Sequence, residues 1–158
     1  MIKEWTHLDK EGEASMVDVG EKAATKRKAK ATGRVVTTKE VIKKVKKNGL
    51  PKGNLFTTAK IAGIQGGKLA SHLIPLCHPL LLDNIKVDIS IESQDSFLVS
   101  AEVACAGRTG VEMEALTAVT TACLTIYDMC KALDRGMIIT DVHLIEKSGG
   151  KSGPYKHK

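Results

Sequence analysis

Cys77 and His78 sit side by side in LIPLCHPLLLD, residues 73–83, between Pro75 and Pro79 in an otherwise apolar run. A thiol beside an imidazole can ligate a metal, act as a nucleophile with its base, touch a ligand or fill a core. A structural zinc site wants four ligands, usually in spaced pairs. The other cysteines, Cys105, Cys123 and Cys130, form no CxxC pair and fall on apolar stripes, where they read as small hydrophobes. Adjacent residues in an extended segment point to opposite sides, so Cys77 and His78 do not readily hydrogen-bond each other, which argues against a thiolate nucleophile. Spacing leaves His78 as either a satisfied core histidine or a ligand contact.

A second constellation lies between residues 110 and 135. At 100° per residue, Glu114, Thr117, Thr121, Asp128, Lys131 and Arg135 share one edge of a helix, opposite an apolar stripe. Asp128 and Lys131 are three apart and can touch. That edge is either water-facing, with one weak ion pair, or the wall of a crevice holding a carboxylate and an ammonium able to exchange protons. Ala115, Ala118, Ala122 and Ala132 form a small-residue face beside it, suited to close packing, which favours the crevice. A third string, EKSGGKSG at 146–153, has the glycines and lysines of an anion nest. It is no Walker A loop, because the first glycine would fall at Ile145 and no helix follows.

Periodicity supplies the elements that must position these groups. AKATGRVV, residues 29–36, alternates, with Ala29, Ala31 and Val35 on one side and Lys28, Lys30 and Arg34 on the other. A short amphipathic helix follows, with a threonine cap, apolar Val41, Ile42 and Val45, and a stop at Asn48-Gly49. From Gly53-Asn54 a second helix carries the seam Leu55, Ala59, Ala62, Gly66, Leu69, Leu73 and ends at Pro75. Its glycines at 63, 66 and 67 each cost about 1 kcal/mol in a helix, so something approaches that backbone closely. IKVDISIE and FLVSAEVAC alternate around the turn SQDS and make a hairpin. The helix of about 110–134 has the stripe Leu116, Val119, Cys123, Ile126, Cys130, Leu133, and MIITDVHLIE reads as a last strand.

The expected fold is therefore α+β, a ferredoxin-like split βαβ with a four-stranded antiparallel sheet and its helices on one face. The 158 residues form one domain, with a flexible arm at 1–28 and a glycine- and lysine-rich tail at 148–158. The net charge of +6 is uneven. Residues 21–47 carry +9 and residues 147–158 carry +4, so the remainder is negative. A localised positive field suits an anionic partner or is simply a solvated face. No signal-like stretch is present, the longest apolar run is too short and proline-broken to span a bilayer, and free thiols fit a reducing cytoplasm.

Several longer strings are specific. MVDVG, TAKIAGIQGGKLASHLIPLCHPL, GVEMEALTAVTTACLTIYDMCKA and LIEKSGGKSG together resemble the cyclic pyranopterin monophosphate synthase family of molybdenum cofactor biosynthesis, over nearly the whole chain. The resemblance implies a lyase that converts 3′,8-cyclo-7,8-dihydroguanosine 5′-triphosphate to cyclic pyranopterin monophosphate with release of pyrophosphate. It implies a homohexamer, a trimer of dimers with sites at a subunit interface, and no metal or organic cofactor. It makes Asp128 and Lys131 the catalytic pair. Leu76, Cys77 and His78 would line the substrate with Met113, Glu114 and Glu112. Lys52, Lys147 and Lys151 would hold phosphates, and Lys26, Arg27 and Arg34 would close over them. No nucleic acid or membrane partner is implied.

Two other classes remain beside it. An RNA-binding module would use the basic clusters, but the central strands offer only Phe97 as a stacking platform. A small-ligand regulatory module would bind without chemistry.

Overall fold

The computed structural model describes residue 8 and residues 11–47 and 50–158. Its order is β1 (Thr25–Val36), α1 (Lys39–Lys46), α2 (Leu55–Lys68), α3 (Ala70–Leu73), β2 (Asn84–Ile91), β3 (Ser96–Gly107), α4 (Glu112–Cys130), β4 (Ile138–Ser148) and β5 (Tyr155–Lys156). The strands form one antiparallel sheet in the order β2-β3-β1-β4-β5. The α+β class holds, but the sheet has five strands rather than four. The extra strand comes from the tail, where Tyr155 and Lys156 pair with Lys147 and Glu146. Gly149, Gly150 and Gly153 make that return possible by adopting φ of 91°, 79° and 70°, which side chains with a Cβ resist.

β1 starts at Thr25, so part of the stretch read as an arm is strand. Lys26, Arg27 and Lys28 hide the alternation there, yet the pairing runs without a shift from Thr25 opposite Gly107 to Val36 opposite Ser96. Thr38 caps α1 and Asn54 caps α2, each side chain accepting from a backbone amide in the first turn. The helix stop expected at Asn48-Gly49 lies outside the described residues.

One sheet face carries the core. Ala29, Ala31 and Val35 of β1 and Phe97, Val99, Ala101 and Val103 of β3 are buried against Val119, Cys123, Ile126 and Cys130 of α4. Gly33 makes this approach possible, because a Cβ there would lie 2.8 Å from Val119 Cγ1. The opposite face is laced with ion pairs, including Lys28–Glu102 at 2.8 Å, Arg34–Glu92 at 2.7 Å and Arg34–Asp141 at 3.0 Å.

The glycines of α2 answer to α4. A Cβ at Gly63 would sit 2.9 Å from the Ala118 carbonyl oxygen, one at Gly67 would sit 3.2 Å from that of Glu114, and one at Gly66 would collide with the Thr121 hydroxyl. The two helices therefore run antiparallel at close range along the alanine face. This corrects two expectations. Thr121 is packed under α2 and does not line a crevice. Leu69 and Leu73, at 47% and 61% exposure, leave the seam. The helix breaks at Leu69, whose amide is shared between the Gln65 and Gly66 carbonyls, and α3 turns away.

Candidate active site

Antiparallel packing of α2 on α4 sorts the chemical groups to two ends. Lys52 precedes α2 and so meets the C-terminal end of α4. The Leu76–His78 segment follows α3 and so lies by the N-terminal end. Asp128 and Glu112 are sixteen residues apart on α4, about 24 Å at helical rise.

At the C-terminal end, Asp128 is gripped by two ammoniums. Its Oδ2 accepts from Lys52 Nζ at 2.7 Å and its Oδ1 pairs with Lys131 Nζ at 2.8 Å. Lys52 also donates to the Asp128 carbonyl oxygen at 3.1 Å. The two lysines pull the Asp128 carboxyl down to about 2, first through the hydrogen bond from Lys131 and then through that from Lys52. Asp128 is thus a carboxylate at neutral pH, and it accepts hydrogen bonds from the two ammoniums beside it. These groups line a hollow of about 370 Å³ with Tyr127 and Arg135, and the side chains of Lys52, Asp128 and Lys131 are about half exposed. The expected helix edge is therefore open at this end and covered by α2 further up.

At the N-terminal end a larger cleft, about 1190 Å³, is lined by Lys22, Arg27, Arg108, Glu112, Lys147 and Lys151 among others. Arg27 is fixed by donating to the carbonyl oxygens of Gly107 and Arg108, each at 3.2 Å. Lys147 Nζ pairs with Glu112 Oε1 at 3.2 Å and donates to Ser152 Oγ at 2.7 Å. Gly149 packs on the Lys26 carbonyl and Gly150 on the Arg27 guanidinium, so these glycines hold the loop against β1. Asp18, Glu21 and Lys22 bring the segment before β1 along one side of the cleft. Glu112 and Glu114 occupy the first turn of α4, where the helix dipole favours negative charge.

Leu76, Cys77 and His78 are half-buried beside that turn, as is Met113. Glu114 is not on the surface of this wall. It is 3% exposed, behind Cys77, with Oε1 3.8 Å from the Cys77 Sγ. Burial pushes the Cys77 thiol up to about 11, so it is no thiolate at neutral pH. Among the described residues no group of three or more His, Cys, Asp or Glu side chains is arranged to hold a metal ion.

The structure thus brings Lys52, Asp128 and Lys131 together, and separately Arg27, Glu112, Lys147 and Lys151. Two of the expected phosphate-closing residues fall elsewhere. Arg34 lies near the far end of β1, bidentate on Glu92 and bonded to Asp141, and these carboxylates raise its pKa. Lys26 meets the glycine loop through its carbonyl, and it is not among the residues that line the cleft. Arg108 and Ser152 were missed as cleft residues. The one signal for Arg108 was its place between two glycines at a strand-to-helix junction.

No helix among the described residues is long and apolar enough to cross a membrane. A family model described as the MoaC family matches residues 16–150, which takes in both ends of α4 and the glycine loop as far as Gly150. The chain belongs to the MoaC family, a family of molybdenum cofactor biosynthesis enzymes acting on a small-molecule substrate.

Proposed function

We propose that this chain is a cyclic pyranopterin monophosphate synthase, a lyase acting on 3′,8-cyclo-7,8-dihydroguanosine 5′-triphosphate and releasing pyrophosphate. The observation that carries the reading is the separation of two chemically complementary half-sites along one helix. One half offers a carboxylate between two ammoniums. The other offers a cationic, glycine-lined cleft beside a half-buried wall. Neither alone can both hold a triphosphate and exchange protons with its base. A second copy brings the Asp128 end of one α4 to the Glu112 end of another, which is how a closed symmetric assembly completes a shared site.

The outer surface of the helix layer suits such an assembly. Ile61, Leu69, Leu73, Leu81 and Leu124 are all exposed on or beside α2, α3 and α4. A homohexamer built as a trimer of dimers would cover apolar side chains that a monomer leaves in water. The order of the first four strands, with β1 and β3 central, is the one expected of a ferredoxin-like split βαβ unit.

In the assembled site, Arg27, Lys147 and Lys151 hold the triphosphate, whose charge matches the clustered cations. Lys52 is shared between the phosphates and Asp128. The Leu76–His78 segment and Met113 read the guanine-derived edge. Asp128 accepts protons and Lys131 donates them as the purine becomes a pterin. Closure of the cyclic phosphate at the α-phosphorus expels pyrophosphate, and cations on the leaving oxygens stabilise that step.

The RNA-binding alternative finds less support. Phe97 is fully buried, so the central strands present no stacking platform, and Lys28 and Arg34 on the open face are paired with carboxylates. Incubation with the cyclised guanosine triphosphate tests the proposal. Pyrophosphate and a cyclic pterin monophosphate are expected in equal amounts. Binding without pyrophosphate would leave a regulatory module, and tight RNA binding at physiological salt would favour the nucleic-acid reading.

A further inference from the structure

Two imidazoles meet where the tail folds back on the sheet, and neither belongs to a half-site. His143 of β4 and His157, which follows β5, have ring centroids 4.5 Å apart and planes inclined at 43°. Their backbones are diagonal neighbours. Glu146 pairs with Lys156, and the His157 amide donates at 2.8 Å to the carbonyl of Ile145, two residues from His143. Each ring has its Nδ1 engaged. His143 Nδ1 lies 2.7 Å from the Asp141 carbonyl oxygen, and His157 Nδ1 lies 3.3 Å from the Tyr155 hydroxyl. A carbonyl oxygen only accepts, so neutral His143 carries its proton on Nδ1 and its lone pair on Nε2. The Tyr155 oxygen can accept from His157 Nδ1 in the same way. Each Nε2 then offers a lone pair and has no hydrogen-bond partner among the described residues.

We propose that His143 and His157 form a two-nitrogen site for a divalent transition ion of the zinc, nickel or copper type, and that the ion clips β5 onto β4. A metal-bound histidine has one ring nitrogen held by a carbonyl or similar oxygen and the other turned to the ion, as both rings are set here. Nitrogens bound about 2.0–2.1 Å from zinc stand about 3 Å from each other. Rings with centroids 4.5 Å apart reach that spacing by side-chain rotation. The donor set selects against hard cations. Magnesium and calcium want oxygen ligands, and the carboxylate of Asp141 is already bonded to Arg34 at 3.0 Å. With two protein ligands the other positions go to water, so the ion exchanges and no closed structural centre forms. Lys156 and Lys158 flank His157 in sequence and repel any cation, which keeps the site weaker still. The consequence lies in the turn that the clip closes. β5 is only two residues long, and so short an edge strand is loosely held. The turn before it carries Lys151 and Ser152 on the cationic cleft. An ion on both histidines fixes the far end of that turn, and so sets where Lys151 and Ser152 stand.

Calorimetric titration of the full-length protein with zinc chloride in a non-chelating buffer tests this, with magnesium chloride in parallel. Zinc should bind at the pair and magnesium should not. His143→Ala and His157→Ala should each weaken zinc binding by at least about tenfold. His157 is exposed beside a two-residue edge strand, so its loss leaves the core intact. His72→Ala, which removes an exposed imidazole on α3, should bind zinc as the wild type does. Amide exchange of residues 149–157, read by mass spectrometry, should slow when zinc is added to the wild type and stay unchanged in His157→Ala. Zinc binding that survives His157→Ala undiminished, or that leaves exchange of 149–157 unaltered, overturns the proposal. So does the absence of zinc binding, or magnesium binding through the same two histidines. Neither measurement needs substrate, so the result stands whether or not the cyclised triphosphate is turned over.

Discussion

Asp128 and Glu114 lie on the same helix and are driven in opposite directions. Asp128 is exposed but held by Lys52 and Lys131, which keep it ionised down to about 2. Glu114 is enclosed with a thiol, and burial favours its neutral form. Asp128→Ala and Lys131→Ala should each lower pyrophosphate release by at least about 100-fold, the loss expected when a proton-transfer group is removed. Both should melt near the wild type, since exposed ion pairs contribute little, and normal turnover by either would count decisively against the pair. The stability supplied by the Asp128 pairs is present above the ordinary aspartate range, about 3.8, and is lost as pH falls through about 2. Glu114 acts with the other sign. Its folded pKa is raised, so the wild type loses stability as pH rises from the ordinary glutamate range through the folded value, whereas Glu114→Gln does not. The Gln variant should gain on the wild type as pH rises across that interval in urea unfolding and match its pH slope below it.

At the scale of elements, the α2–α4 contact does the sorting. Three buried glycines on α2 cost helix stability, and they are offset by the close approach of the alanine face of α4. Gly66→Ala should destabilise by about 1–2 kcal/mol net, because the new methyl meets the branched Thr121 side chain and the overpacking exceeds the gain in helix propensity. A shift of the urea midpoint with an unchanged slope would report it, and an unchanged midpoint would mean that the helices stand further apart. The spacing of the glycines announced a close neighbour without saying which. The stripe on the 110–134 helix was legible for Val119, Cys123, Ile126 and Cys130, all fully buried. It failed at Leu133, which is 40% exposed, because α4 ends at Cys130.

For the whole molecule, the separation of the half-sites makes a sharp prediction. Asp128→Ala and Lys147→Ala are each expected to be inactive, since each removes one half of every site. Co-refolding equal amounts should restore about a quarter of wild-type activity, because half of randomly paired dimers are mixed and each mixed dimer holds one intact site. Mixing that restores nothing would mean that both residues act within one copy, against a spacing of about 24 Å along the helix.

What the sequence determined by itself is the set of elements and the chemical inventory. Alternation, helical spacing and the caps at Thr38 and Asn54 are local, so they can be read before any contact is known. The strings around Cys77, Asp128 and Lys151 carried the family in the same way. The tertiary structure alone decided which faces found partners. It covered Thr121 and Glu114 while leaving Asp128 open, turned Leu69 and Leu73 outward, tied Arg34 to Glu92 and Asp141, and folded the tail back as β5. Each of those outcomes depends on a neighbour distant in sequence, and a periodic pattern specifies a face without specifying what will press against it.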